Sequence, residues 1–203
     1  MNQFKEGGKL IFIRHAYAPG SGDPANFNLN DCSTQRNLSD EGRNQAKLIG
    51  EFFKKNKIEI DKVLSSEWCR CKETAKIAFK NFSTNSFLNS FYSLKYAENK
   101  DKQVKALNDY IKNFESKKNL ILVTHYVLIS EVLNYGPSSG EIVVSDKNLN
   151  IIDTIEINYW NFMSSKRAMK QAQKQAYAKH RSNIMNNKFS IKKKSFINKK
   201  KKS

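Results

Sequence analysis

The chain has 203 residues, 39% hydrophobic and 27% charged, with 36 Lys or Arg against 19 Asp or Glu and a net charge of +17. That length supports one substantial core with little room for two, and no apolar run approaches the length of a membrane span. The charge is segregated: residues 161–203 hold 14 Lys or Arg and no acid, which leaves 22 basic and 19 acidic residues in 1–160, so the overall basicity says little about chemistry in the first part.

In chain order, Gly7-Gly8 leads into Leu10–Ile13, an apolar run suited to a strand buried on both faces, with Arg14 and His15 at its end. Ligands of open α/β sheets collect outside the carboxyl ends of the strands, so this pair has the position of a site; the alternative is a solvated Arg-His pair in a loop. Ala16 to Arg36, with Pro19, Gly20, Gly22 and Pro24, reads as a long loop over that rim. Ser39 caps a helix with Asp40 and Glu41 in its first turn and Ala46, Ile49 and Phe53 on one face, running to about Lys55. A strand is expected at Lys62–Leu64. Ser66 then caps a second helix with Trp68, Cys71, Ala75 and Ala78 or Phe79 inward and Arg70 to one side near the positive terminus.

Phe82 to Tyr96 is aromatic-rich and irregular; Phe87, Leu88, Phe91 and Tyr92 either wall a pocket or close the core. Val104, Leu107, Ile111 and Phe114 mark a helix over Asp101–Phe114. Leu120–Thr124 is a second apolar, β-rich run, and His125 stands at its end as His15 does at the first. A short helix at Val127–Leu133, a strand at Ile142–Ser145 and a half-exposed edge strand at Ile151–Ile157 complete a mixed sheet with helices on both faces.

If the two histidine-bearing strands are parallel neighbours, both imidazoles emerge on one rim. With Arg14 and Arg70 beside them, the set suits a dianionic phosphoryl group: planar guanidinium forks for its oxygens and an imidazole for attack on phosphorus.

Four stretches in order, IRH at Ile13–His15, QRNLSDEGRNQA at Gln35–Ala46, SSEWCRCKETA at Ser65–Ala75 and VTH at Val123–His125, resemble the histidine phosphatase superfamily, also called the phosphoglycerate mutase-like fold. The likeness spans about residues 6 to 158 and is nearest a bacterial branch with APGSGDPANF after the Arg-His pair and PSSGEIVV after the second histidine. It implies a three-layer α/β/α domain over 1–160 with a mostly parallel mixed sheet. It also implies a phosphatase in which His15 becomes a phosphohistidine that water hydrolyses, while Arg14, Arg70 and a charged His125 bind the phosphoryl oxygens, with Arg36 as a further phosphate ligand or an anchor of the loop to Asp31 or Asp40. His15 must be neutral at its attacking nitrogen, so its other ring nitrogen is expected to donate to a backbone carbonyl. The substrate would be a phosphorylated small molecule or phosphoprotein, with no metal or cofactor required. Many members carry Gly after the Arg-His pair where this chain has Ala16, a difference of one methyl group.

The acid that protonates the leaving oxygen in members cleaving ordinary esters is harder to find. Tyr126 stands beside His125, unlike the His-Asp arrangement of the phytase-like branch, and Asn89 stands where near relatives carry Asp. Among Glu67, Glu98, Asp101 and Glu141, Glu67 is the choice by proximity to Arg70. An enzyme without an acid would depend on good leaving groups such as aryl phosphates or phosphohistidine, its rate would fall steeply with leaving-group pKa, and Asn89→Asp would flatten that dependence. A phosphoglycerate mutase-like phosphotransferase is the disfavoured variant of this reading.

Cys32, Cys69 and Cys71 are three in number, unlike a disulfide framework and too few for a zinc site; they read as packing residues beside the pocket, with a Cys32 contact across it. The amino terminus lacks the apolar core of a signal peptide, which suggests the cytoplasm, or the periplasm if the true start lies upstream. Residues 161–203 read as a basic tail, with a marginal helix at Arg167–Arg181, a solvated His180 and a disordered, Lys-rich Ser190–Ser203. Weak polyanion contact through this tail makes a nucleic-acid-binding protein the rival function from another class, and a catalytically dead binding domain the third; the intact Arg14, His15, Arg70 and His125 set argues against the latter.

Overall fold

The computed structural model describes residues 6–157 and residue 171. Apart from residue 171, the expected tail, with its helix and its disordered end, lies outside the described residues.

Six strands form one sheet in the order β3-β2-β4-β1-β5-β6: β1 (Leu10–Arg14), β2 (Ile60–Ser65), β3 (Ser83–Thr84), β4 (Asn119–Thr124), β5 (Ile142–Ser145) and β6 (Ile151–Ile155). The first four run parallel, whereas β5 pairs antiparallel with β1, and β6 with β5, giving the mixed sheet expected from the sequence. Side chains alternate across a strand, so each apolar run feeds two cores. Leu10, Phe12, Leu64, Leu120, Leu122 and Val143 join one cluster with Leu107, Ile111, Leu128 and Ile129, while Ile11, Ile13, Val63, Ile121, Val123, Ile142 and Val144 join the other with Ile49, Phe53, Cys71 and Ala75. The first cluster takes α4 (Lys100–Lys112) and α5 (Tyr126–Leu133); the second takes α1 (Asp40–Lys55) and α2 (Cys69–Phe79). The result is three layers, helices on sheet on helices. On α1, Gly50 lets α2 approach closely, since a Cβ there would stand 2.5 Å from the Ala78 carbonyl oxygen.

Local signals place most boundaries. Ser39 Oγ accepts from Gly42 N at 3.2 Å and starts α1 as expected. The second helix begins later than its expected cap: Ser66 lies three residues before Cys69, and Gln35 Oε1, arriving from the loop, takes the Cys69 N–H at 2.9 Å. The aromatic stretch resolves into β3, a 3-10 turn at Ser86–Leu88 and α3 (Leu94–Ala97). Phe87, Leu88 and Phe91 close the core and Tyr92 lines the pocket, so each alternative holds for part of it.

The cysteine expectation is corrected. Cys32 and Cys69 form a disulfide with a Cα–Cα separation of 5.7 Å, and Cys71 is the free, buried thiol. Cys32 sits in a 3-10 turn at the far end of the long loop and Cys69 opens α2, so the bond ties that loop to the helix bearing Arg70. Bridging positions 37 residues apart restricts the unfolded chain, and on the loop-entropy model the bond contributes about 4 kcal/mol. Cys32→Ser is therefore expected to lower the urea midpoint of the oxidised protein and to make it insensitive to reductant; equal midpoints for wild type with and without reductant would count against the bridge.

Candidate active site

The parallel pairing of β1 and β4 brings the two histidines together. Arg14 lies opposite Thr124 in the register, so the next residues, His15 and His125, leave the same rim, and His15 N donates to Thr124 O at 2.9 Å. Their ring centroids are 5.5 Å apart, and both rings are almost fully buried. On the other side of β4, Ser65 pairs with Val123, which delivers Ser66 and the start of α2 to this rim. Arg70, in the first turn of α2, is buried too, whereas the sequence suggests a position to one side of the packed stripe.

His15 Nδ1 lies 2.8 Å from Ala16 O. A carbonyl only accepts, so Nδ1 carries the proton and Nε2 carries the free electron pair. This is the tautomer nucleophilic attack requires. Nε2 accepts from Arg70 Nε at 3.2 Å. Burial first, and then the charge of Arg70, hold the His15 imidazole neutral well below its ordinary range.

His125 is held neutral the same way, by burial first and then by the charge of Arg70. Its Nδ1 faces an Arg70 terminal nitrogen at 3.5 Å, and its Nε2 lies 2.8 Å from Ser66 Oγ. With Nδ1 as acceptor, Nε2–H donates to Ser66, whose own hydroxyl donates to Asn89 Oδ1 at 3.1 Å. Cys71 lies beneath this ring at 3.5 Å from Nε2, and burial pushes its thiol up to about 12, which keeps it protonated and inert.

Arg14 donates to Pro137 O at 2.9 Å and lies over the Tyr126 ring at 5.3 Å from its centroid. Its buried Nε has no hydrogen-bond partner among the described residues, a donor free for an anion. Arg36 lines the pocket and also anchors the long loop, but through Gly22 O at 2.9 Å and Ala18 O and not through Asp31 or Asp40.

The long loop does cover the rim. Gly20 to Ala25 and Phe27 line a cavity of about 490 Å³ together with Arg14, His15, Arg36, Arg70 and His125. Trp68, stacked on Phe27 at 5.1 Å, and Tyr92, Tyr96 and Tyr126 add an aromatic wall.

Asp23, which no local pattern singles out, is the one carboxylate among the described residues that line the cavity. It accepts from both terminal nitrogens of Arg70, at 2.6 and 3.2 Å, from Trp68 Nε1 at 3.1 Å and from Arg36 N at 3.1 Å. Burial alone would raise this carboxyl, but the hydrogen bonds and charge of Arg70 outweigh it and hold the group below the usual carboxylate range.

The structure does not bring Glu67 into the cavity. Its carboxylate accepts from Asn89 Nδ2 at 2.6 Å while Asn89 Oδ1 accepts from Glu67 N at 2.9 Å, so the two side chains brace the turn before α2. Aspartate at position 89 would lose that donor and set two carboxylates face to face, which corrects the idea that Asn89→Asp supplies an acid. Glu98 and Asp101 are exposed, and Glu141 is buried against Tyr135 Oη and Ser138 N, each at 2.6 Å; none lines the cavity.

Two histidines kept neutral by burial tie stability to pH. Their folded values lie below the unfolded value near 6.5, so below that pH the unfolded chain binds more protons and stability falls as pH falls. Unfolding free energy is expected to drop by about 3 kcal/mol between pH 7.5 and 5.5 from these two groups. Urea titrations of the wild type and of a His15→Gln, His125→Gln variant at the two pH values measure it: the variant should lose that much less stability than the wild type on acidification, and parallel pH dependence would overturn the expectation.

Residues 10–90 match the family model of the histidine phosphatase superfamily (branch 1). Among solved structures, the fold resembles the protein histidine phosphatase SixA complexed with tungstate, at 16% identity and a TM-score of 0.52 over 73% of this chain and 97% of that one. It resembles a phosphoglycerate mutase from Thermus thermophilus at 14% identity and a TM-score of 0.53, over 74% and 99%. A mutant phosphoserine phosphatase from Entamoeba histolytica in complex with phosphoserine is similar at 18% identity and a TM-score of 0.51, over 74% and 98%. No curated protein matches the sequence.

Proposed function

We propose that the chain, whose residues 10–90 match the histidine phosphatase superfamily model, acts as a member of that superfamily and hydrolyses phosphate monoesters or phosphohistidine through a covalent phosphohistidine on His15, the substrate being a phosphorylated small molecule or phosphoprotein. The observation that carries this reading is His15 itself: a buried, neutral imidazole at a strand end, with Nδ1–H fixed on Ala16 O and Nε2 aimed at the guanidinium that would receive the phosphoryl oxygens. Attack by Nε2 forms the N–P bond as the P–O bond to the leaving group breaks. Arg14 and Arg70 supply donors to the equatorial oxygens, where the transition state spreads its charge. A bound dianion would replace the neutralising role of Asp23 and favour protonation of His125, making it a donor when substrate is present.

Tungstate in SixA and phosphoserine in the Entamoeba enzyme are the ligands of those proteins, and they support an oxyanion or phosphomonoester at the same rim here. The experiment is turnover of 4-nitrophenyl phosphate followed by rapid quench. Release of inorganic phosphate with a transient acid-labile, base-stable adduct on the protein supports the hydrolase; phosphate delivered only to a second hydroxylated substrate would point to a phosphotransferase.

No helix among the described residues is long and apolar enough to cross a membrane. The Cys32–Cys69 disulfide favours an oxidising compartment, such as the periplasm, over the cytoplasm suggested by the amino terminus.

A further inference from the structure

We propose that Asp23 is the catalytic acid for the leaving group, released for that role when the phosphoryl group takes its place on Arg70. The inference rests on the phosphatase reading and adds the residue which that reading lacks.

Position is the first support. Of the carboxylates weighed from the sequence, Glu67 is braced by Asn89, Glu141 is fixed by Tyr135 and Ser138, and Glu98 and Asp101 face solvent. Among the described residues, Asp23 is the acid that lines the cavity holding His15.

Charge exchange is the second. The Arg70 guanidinium spends Nε on His15 and both terminal nitrogens on Asp23, so every face of the fork is satisfied by groups that a phosphoryl dianion competes with. His15 must also give up the Arg70 hydrogen bond before its electron pair can attack. A phosphomonoester on Arg70 therefore frees both partners at once: the nucleophile from its donor, and the carboxylate from its counter-ion. The freed carboxylate then faces phosphoryl charge, which favours its protonated form, the reverse of the effect of Arg70 on the paired carboxylate.

Mobility is the third. Asp23 follows Gly20 and Gly22, both with positive φ, at 84° and 68°. Arg36 holds the backbone at Ala18 and Gly22, and the disulfide holds the loop farther along, so the exchange needs only a swing of the Asp23 side chain and no opening of the loop.

The cycle balances. Protonated Asp23 gives its proton to the leaving oxygen as His15 Nε2 forms the bond to phosphorus, yielding the free alcohol, the phosphohistidine and the Asp23 carboxylate. Water then attacks phosphorus, its proton passes to Asp23, and the P–N bond breaks to return neutral His15 and inorganic phosphate. The proton that Asp23 took from solvent when the phosphoryl group displaced it returns to solvent as phosphate leaves, and the Asp23 carboxylate closes on Arg70 again.

The test is a leaving-group series, from 4-nitrophenyl phosphate to alkyl phosphates, with phosphorylation of His15 timed by rapid quench in wild type and Asp23→Asn. General acid catalysis contributes about 10²- to 10⁴-fold where the leaving group needs a proton and little where it does not. Asp23→Asn is expected to cost at least about 100-fold on alkyl phosphates and under about tenfold on 4-nitrophenyl phosphate, and the wild type is expected to show the shallower dependence on leaving-group pKa. Equal losses on both substrates would reduce Asp23 to a positioning residue and overturn the proposal. A steep wild-type dependence would overturn it too, even if the variant failed to fold. Absence of any adduct on His15 would instead strike at the phosphatase reading itself.

Discussion

Replacing His15 by Ala is expected to lower turnover of every phosphate monoester by at least about three orders of magnitude and to abolish the protein-bound phosphoryl adduct. The size follows from the absence of a substitute. His125 is also buried and neutral, but its Nε2 carries the proton given to Ser66 and its one free electron pair, on Nδ1, faces Arg70, so it does not stand where His15 Nε2 does. Cys71 is held as the thiol, and the Asp23 carboxylate is engaged by Arg70. The variant also removes the acceptor for Arg70 Nε and leaves a buried donor unpaired, a cost of about 1–3 kcal/mol that a urea titration would record separately from the chemistry. Folded His15→Ala protein that still forms an acid-labile adduct, on His125 or elsewhere, would overturn the assignment. A loss of only a few fold would mean that water attacks phosphorus directly.

What is legible in the sequence is what local patterns carry. Leu10–Ile13 and Leu120–Val123 are apolar because both faces of each strand are covered, which puts Arg14, His15 and His125 at strand ends, and the parallel pairing of the two strands puts those ends on one rim. Ser39 and Asp40 set the start of α1 within its own first turn. The misses share a different origin. Asp23 and Arg70 are 47 positions apart, and nothing within GSGDP says that its aspartate turns inward; the only local signal is an acid between a positive-φ glycine and Pro24 in a loop read as functional. The start of α2 depends on Gln35, which is 34 residues upstream, and so Ser66 passes for its cap. The disulfide is hidden by counting, because an odd number of cysteines weakens a framework argument although it does not forbid one bridge with one thiol left over. Glu67 is near Arg70 in sequence, but on a helix entrance three residues change the direction of a side chain completely, and its carboxylate points to Asn89.

Arg70→Ala is expected to reduce the rate of His15 phosphorylation by at least about two orders of magnitude, the scale for losing a transition-state donor. Arg70 reaches further than a single donor does, because it is hydrogen-bonded to both histidines and to Asp23. Its charge is the largest influence after burial holding each imidazole neutral, so its removal should raise the His15 pKa and move the acid limb of the phosphorylation rate to higher pH. Below that limb the protonated ring has no electron pair to offer, so the loss should grow as pH falls. Arg70→Lys separates the two contributions. A lysine keeps a positive charge near the rings but has no planar fork, so it should restore much of the pH profile and little of the rate. A double change of Arg70→Ala with Asp23→Asn should cost less in stability than the sum of the two single changes, because each single change strands a partner that the other removes. Arg70→Ala within a few fold of wild type, with an unmoved acid limb, would place the phosphoryl group on Arg14 and Arg36 and leave Arg70 as the structural partner of Asp23 alone.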